Sequence, residues 1–157
     1  MNVLIADDHP VVRQGLRQML AMESDFTVVG EARNGQEVVD LSRQVPWEVA
    51  VLDYNMPGKS GLELIKELRQ RYPARAVLIL SMYPEDRYAV RALKAGAAGY
   101  LTTESAPEEL VNAIRKIAGG GRYVTPTLGE KLALELEDNR GKPLADFALG
   151  DVLEPGH

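Results

Sequence analysis

The chain has 157 residues, of which 45% are hydrophobic and none is cysteine, and its formal net charge is −5. This length allows one ordinary domain with a short appendage. The lack of cysteine excludes a disulfide framework and a thiolate metal site. The acidic charge, without any cluster of Lys and Arg, argues against nucleic-acid binding by this chain alone.

Membrane insertion and export are not expected from this sequence. No stretch approaches the roughly 20 consecutive apolar residues that a membrane-spanning helix needs. The first residues, Met1-Asn2-Val3-Leu4, lack the basic region that begins a secretory signal. We therefore expect a cytoplasmic protein without membrane contacts.

Short apolar runs alternate with longer segments of helical period, which predicts βαβ units around a parallel sheet. Most runs are continuously hydrophobic, as expected when helices cover both faces of the sheet. We expect a doubly wound α/β domain with five strands and five flanking helices. The predicted strands are Val3 to Ala6, Thr27 to Glu31, Val49 to Leu52, Ala76 to Leu80 and Gly99 to Leu101.

Four of the helices can be assigned from apolar residues at helical spacing or from residues that end a helix. Their markers, in chain order, are Val12, Leu16, Met19 and Leu20; Leu62, Ile65 and Leu68, ended by Tyr72-Pro73; the segment from about Glu85 to Ala95, closed by Gly96; and Leu110, Ile114 and Ile117.

The run Gly119-Gly120-Gly121 interrupts this pattern and predicts a domain boundary near residue 120. We expect a domain over 1–120 and a linker over 121–140. The linker is predicted to contain an amphipathic helix marked by Leu128, Leu132 and Leu136. Residues 141–157 have no regular period. We interpret them as an irregular tail, with a disordered end, a truncation and a cloning remnant as the open alternatives.

Polar residues follow four of the predicted strands, at the edge where doubly wound sheets bind ligands. These residues are Asp7-Asp8, Asp53, Ser81 and Thr102-Thr103. Converging carboxylates repel one another unless a cation neutralises them. Each residue alone could be a helix cap or a solvated loop residue, but their coincidence at successive strand ends favours a shared site.

The residue types predict a Mg²⁺ site that takes part in phosphoryl transfer. Asp7, Asp8, Asp53 and the backbone carbonyl of Asn55 would form an incomplete oxygen shell. Asp53 could attack phosphorus as a nucleophile, and the Ser81 hydroxyl could donate to the new phosphoryl group. The neighbouring His9 could make a transition-metal trio with the aspartates, but its position beside Pro10 at a helix start favours a surface residue.

Four separated segments of the sequence form a specific pattern. They are Ile5-Ala6-Asp7-Asp8-His9-Pro10, Leu52-Asp53-Tyr54-Asn55-Met56-Pro57-Gly58, Leu80-Ser81 and Ala95-Gly96-Ala97-Ala98-Gly99-Tyr100-Leu101. These segments resemble the signature segments of bacterial response regulator receiver domains, and their His-Pro and Gly-Tyr-Leu sequences are similar to the NarL/FixJ (LuxR-type) subfamily. The resemblance covers roughly residues 1 to 120 and implies the flavodoxin-like strand order 2-1-3-4-5.

The resemblance implies that Asp53 accepts a phosphoryl group from a sensor histidine kinase. It makes Asp7 and Asp8 the acidic pair that holds Mg²⁺, directly or through water, with the Asn55 carbonyl as a further ligand. Ser81 would be the hydroxyl switch, and Tyr100 the aromatic residue whose rotamer reports phosphorylation on the face formed by the fourth helix, the fifth strand and the fifth helix.

The same resemblance implies partners and an output. Phosphorylation would change dimerisation or effector contact, and a homodimer is expected. Transcriptional control through DNA would need a C-terminal helix-turn-helix, which is not visible in Gly141 to His157. The domain would act as an enzyme only on itself, through phosphorylation and dephosphorylation of its own aspartate.

Thr103 departs from the family pattern, because receivers carry a lysine at this position. Without that ammonium, we expect Mg²⁺ binding to persist but phosphorylation to couple poorly to Ser81 and Tyr100. Lys59 could partly substitute for the lost charge, although a solvated loop lysine is the favoured interpretation.

Two other functions remain open at this point. Thr103 also fits a pseudo-receiver, a scaffold that works without phosphorylation. A Mg²⁺-dependent phosphohydrolase shares strand-end aspartates, but it needs a general acid two residues after the nucleophile, where this chain has Asn55.

Overall fold

Five parallel strands alternate with five helices in the computed structural model, which describes residues 1–82, 86–124, 129–130 and 133–134. The sheet has the order β2-β1-β3-β4-β5, which confirms the doubly wound, flavodoxin-like prediction. The elements are β1 (Asn2–Ala6), α1 (Pro10–Ala21), β2 (Thr27–Ala32), α2 (Gly35–Gln44), β3 (Val49–Asp53), α3 (Gly61–Arg71), β4 (Ala76–Ser81), α4 (Asp86–Ala95), β5 (Gly99–Thr102) and α5 (Ala106–Ala118).

The hydrophobic core has two parts, one on each face of the sheet. Alternate residues of a strand point to opposite faces, so neighbours such as Leu4 and Ile5 of β1 belong to different parts. Helices α2, α3 and α4 cover one face, and α1 and α5 cover the other. Both faces of the central strands are therefore buried, which explains their continuous hydrophobicity.

Helix α2 is the one helix that the apolar spacing did not assign to particular residues. Its buried face consists mainly of Val38 and Val39, so its periodic signal is short. The local signal for its start is the helix cap, because the Asn34 side chain accepts a hydrogen bond from the Glu37 backbone N–H at 2.9 Å.

The chain remains attached to the sheet just beyond the predicted boundary at residue 120. Tyr123 donates its backbone N–H to the Ala98 carbonyl at 2.9 Å and accepts from the Tyr100 N–H at 3.2 Å. Beyond it, residues 129–130 and 133–134 are helical. Leu128, Leu132 and Leu136 of the predicted linker helix, and the whole tail 141–157, lie outside the described residues. The predicted domain division stays a prediction.

None of the helices in the described ranges has the length and apolar character needed to cross a membrane.

Gly61, at the start of α3, is held against the loop that follows Asp53. A Cβ atom at Gly61 would lie 2.6 Å from the Tyr54 carbonyl oxygen, whereas a Cβ atom at Gly15 in α1 would meet nothing within 4 Å. We expect Gly61→Ala to lower the free energy of unfolding by about 1 to 2 kcal/mol. The control, Gly15→Ala, should raise it by up to about 1 kcal/mol, because alanine favours the helix. Urea unfolding measures both, and equal effects would contradict the predicted clash.

Candidate functional site

The predicted site residues gather at the carboxyl edge of the sheet because the strands are parallel and in register. Ala6 of β1 pairs with Leu52 of β3, so Asp7 and Asp53 each follow at the same level. Asp53 in turn pairs with Leu80 of β4. Ser81 pairs with Thr102 of β5, which places Thr103 one residue beyond the sheet.

Three carboxylates and one imidazole form a compact cluster at this edge. Ligand atoms from Asp7, Asp8, His9 and Asp53 all lie within 4.8 Å of one another. The structure thus brings together the three aspartates that the sequence analysis assigned to a metal site. His9 joins them from the surface, so it is the exposed residue that the sequence favoured and also a neighbour of the aspartates.

His9 is exposed, but it contacts the acidic pair. Its Nδ1 atom lies 2.9 Å from Asp7 Oδ1 and 3.1 Å from Asp8 Oδ1, while 58% of the side chain remains accessible. The hydrogen bond with Asp7 and the charges of Asp8 and Asp7 raise the pKa of the His9 imidazole. The sequence signal for this contact was the adjacency of the three residues.

The cluster fits a divalent cation. Asp8 Oδ1 is buried and accepts no hydrogen bond, despite its proximity to His9. Burial raises the pKa of Asp53 to about 7, assisted by the charges of Asp7 and Asp8 and opposed by the hydrogen bond from the Asn55 N–H. A bound cation would give the unpaired oxygen a partner and remove the repulsion among these carboxylates.

A cleft of about 620 Å³ opens over Asp53. Thr103 lines this cleft together with Asp53, so the position at which the resemblance implies a lysine adjoins the predicted phosphoacceptor. Its lining also contains the exposed apolar side chains of Val11 and Met82, which are 80% and 72% accessible and were not predicted as part of the site. The other lining residues are Asp7, His9, Pro10, Val12 and Glu104.

Ser81 and Tyr100 lie beneath the site. The Ser81 side chain is completely buried at the end of β4, and Tyr100 of β5 is 6% exposed. Tyr100 packs in the core part covered by α2, α3 and α4. Both residues interact with other residues of the chain. These positions are compatible with the switch roles implied by the resemblance, which stay predictions.

The loop after β3 contains Asn55 and Lys59, the two remaining residues with predicted roles. The backbone N–H of Asn55 donates to Asp53 Oδ1 at 3.1 Å, so this loop restrains the carboxylate. The Lys59 ammonium instead forms an ion pair with Glu67 of α3. The structure therefore favours a structural role for Lys59 over a substitute for the charge missing at Thr103.

Comparison with known proteins gives consistent matches. Residues 3–115 match the family described as "Response regulator receiver domain". The chain is 38% identical over 139 residues to the nitrate/nitrite response regulator protein NarL of Escherichia coli (strain K12), covering 88% of this chain and 64% of that protein. The chain thus spans less than two thirds of this curated relative.

Solved structures share the fold. A two-component response regulator of the LuxR family from Aurantimonas sp. SI85-9A1 superposes with a TM-score of 0.78 and is 36% identical, covering 85% of this chain and 96% of that one. The isolated REC domain of RcsB from Salmonella enterica serovar Typhimurium, solved with the phosphomimetic BeF3⁻, gives a TM-score of 0.75 at 29% identity, covering 84% and 97%. The chain therefore belongs to the response regulator receiver domain family and, within it, to the NarL/FixJ (LuxR-type) subfamily.

Proposed function

We propose that this receiver domain accepts a phosphoryl group on Asp53 from the phosphohistidine of a sensor histidine kinase. The observation that supports this proposal is the cluster of Asp7, Asp8 and Asp53 beneath an open cleft. The family is a signalling family and not a class of classical enzymes. In the proposal, the domain supplies a nucleophile and a metal site, and the kinase supplies the phosphoryl group.

The transfer needs one oxygen of Asp53 as the nucleophile. The hydrogen bond from the Asn55 N–H lowers the nucleophilicity of Oδ1, so we assign Oδ2 as the attacking oxygen. A P–O bond to Asp53 forms, the P–N bond to the kinase histidine breaks, and the imidazole leaves. Mg²⁺, held by Asp7, Asp8, Asp53 and the Asn55 carbonyl, would neutralise charge on the phosphoryl oxygens.

The output would follow from a shift between two conformations. We propose that the Ser81 hydroxyl donates to the phosphoryl group and that Tyr100 responds on the face formed by α4, β5 and α5. A few kcal/mol of preference for the phosphorylated state is enough to shift such a population. In a longer protein with a C-terminal DNA-binding domain, this shift would change dimerisation and the control of DNA by that domain.

A phosphorylation-independent scaffold is the second candidate, because Thr103 leaves the cleft without the usual lysine. It predicts that Asp53→Ala leaves dimerisation and partner binding unchanged. The phosphohydrolase interpretation is not retained, because Asn55 stands at the position where that chemistry needs a general acid.

Incubation with acetyl phosphate and Mg²⁺ tests the proposal, with intact mass as the measurement. We expect the wild type to gain one phosphoryl group and Asp53→Asn to gain none. Asp40→Asn is the matched control, since Asp40 is an exposed carboxylate of α2 outside the cleft; it should behave as the wild type. A phosphoryl adduct on Asp53→Asn would overturn the assignment. An unmodified wild type with intact partner binding would favour the scaffold.

A further inference from the structure

A second cleft lies at the opposite edge of the sheet from Asp53, where the strands begin. Its volume is about 610 Å³. The lining includes Arg69, Arg75 and Arg122, and Glu48 is the one acidic residue among the described residues that line it. This local excess of positive charge contrasts with the net charge of −5 for the whole chain.

Two of these arginines have no acidic partner among the residues that the structure describes. In the ranges that the structure describes, no carboxylate lies within 4.0 Å of the Arg69 or Arg75 guanidinium. Arg69 Nη1 donates to the Pro73 carbonyl at 2.6 Å, which uses only part of its hydrogen-bonding capacity. Arg122 already interacts with another residue, so we rely on Arg69 and Arg75.

Aromatic side chains fix the position of Arg75. Its guanidinium carbon lies 5.0 Å from the centroid of the Trp47 ring and 4.7 Å from that of Tyr72. The two rings contact each other edge to face, with centroids 5.3 Å apart. Trp47 is 2% exposed and donates its indole N–H to the Ser42 carbonyl at 3.1 Å. Arg75 is thus oriented before any ligand arrives, which lowers the cost of binding.

The cleft has the size and chemistry of a small-molecule site. Its volume falls within the usual range of roughly 300 to 1,000 Å³ for such sites. Guanidinium groups bind phosphate through paired hydrogen bonds. Two of them without a carboxylate partner in the described part of the chain favour a ligand with several adjacent negative charges. Pro46, Pro73 and Ala74 add apolar surface to the lining. We propose that this cleft binds the diphosphate or triphosphate group of a small molecule.

Titration of the full chain with inorganic pyrophosphate, in Mg²⁺-free buffer and followed by NMR, tests this proposal. We expect the Trp47 indole and the side chains of Arg69 and Arg75 to shift, without equivalent shifts at Asp53. Adenosine diphosphate is the second probe, and it distinguishes the two sources of the ligand. If it binds more tightly than pyrophosphate, the ligand is a nucleotide. If the two bind equally, the ligand is an inorganic polyphosphate. The absence of any shift at millimolar pyrophosphate would overturn the proposal.

Substitutions then locate the site. Arg69→Gln and Arg75→Lys should each weaken pyrophosphate binding about tenfold. Arg69→Gln removes a positive charge, and Arg75→Lys removes the planar guanidinium that can donate two parallel hydrogen bonds to phosphate. Arg33→Gln is the control, because Arg33 lies at the other edge of the sheet and pairs with Glu37. Thermal unfolding verifies that each variant is folded. An equal loss in Arg33→Gln, or binding of a glutamate-rich peptide in place of pyrophosphate, would contradict the proposal.

This inference does not depend on the phosphorylation of Asp53. Pyrophosphate binding should persist in Asp53→Asn, whatever the result of the phosphodonor experiment.

Discussion

Asp53→Asn should stabilise the metal-free domain by about 2 kcal/mol at about pH 8, and the gain should vanish below about pH 4. Burial raises the pKa of the Asp53 carboxyl to about 7 in the folded state. The unfolded chain has an ordinary aspartate pKa near about 3.9. Asparagine keeps the site neutral at every pH, so it removes the cost of ionising this buried position.

The sign of this pH dependence follows from the proton bound at Asp53. Between about pH 4 and pH 7 the folded state holds that proton and the unfolded state does not, so wild-type stability falls as pH rises through this window. Three pKa units correspond to about 4 kcal/mol, and partial contact with solvent reduces the expected effect to about 2 kcal/mol.

Urea unfolding of both proteins at several pH values measures the difference. Asp40→Asn removes an exposed carboxylate and should show no comparable trend. Adding Mg²⁺ should shrink the advantage of Asp53→Asn, because the cation stabilises the ionised wild-type site and the asparagine weakens that binding. A constant difference across the pH range would show that the effect has another origin than ionisation of Asp53.

The fold and the acidic edge could be predicted because they depend on features that repeat along the chain. Short apolar runs, most of them continuous, identified the five strands, and parallel strands bring their carboxyl ends to one edge. Asp7 and Asp8 follow one apolar run and Asp53 follows another, about 45 residues later, yet the pattern of runs was enough to place them together. The order of the strands came from the resemblance and not from the periodicity.

Other features depend on three-dimensional packing that leaves little local signal. The contact of His9 with both aspartates depends on the turn between β1 and α1. The arginine cleft combines Arg69 of α3 with Arg75 from the loop before β4, and its organisation depends on Trp47. In the sequence, each of these residues resembles an ordinary surface or core residue. The residues of the arginine cleft come together only when the loops at the starts of the strands are folded.

Thr103→Lys should strengthen the coupling between phosphorylation and the switch residues by about tenfold or more. Thr103 and Asp53 line the same cleft, so an ammonium at position 103 can pair with the acceptor carboxylate and then with the phosphoryl group. A charge-assisted hydrogen bond contributes roughly 1.5 to 3 kcal/mol. If it forms only in the switched conformation, it changes the ratio of the two conformations by about tenfold or more.

NMR of the phosphorylated protein measures this ratio at Ser81 and Tyr100. In the wild type we expect small shifts at Tyr100, and in Thr103→Lys shifts that approach those of a fully switched state. Thr103→Met provides a side chain of similar length without the charge, so it separates the ammonium from the effect of filling the cleft. Intact mass of each sample normalises the shifts to the fraction phosphorylated. If methionine and lysine give the same shifts, or neither differs from threonine, then the residue at position 103 does not control the coupling, and the scaffold interpretation gains support.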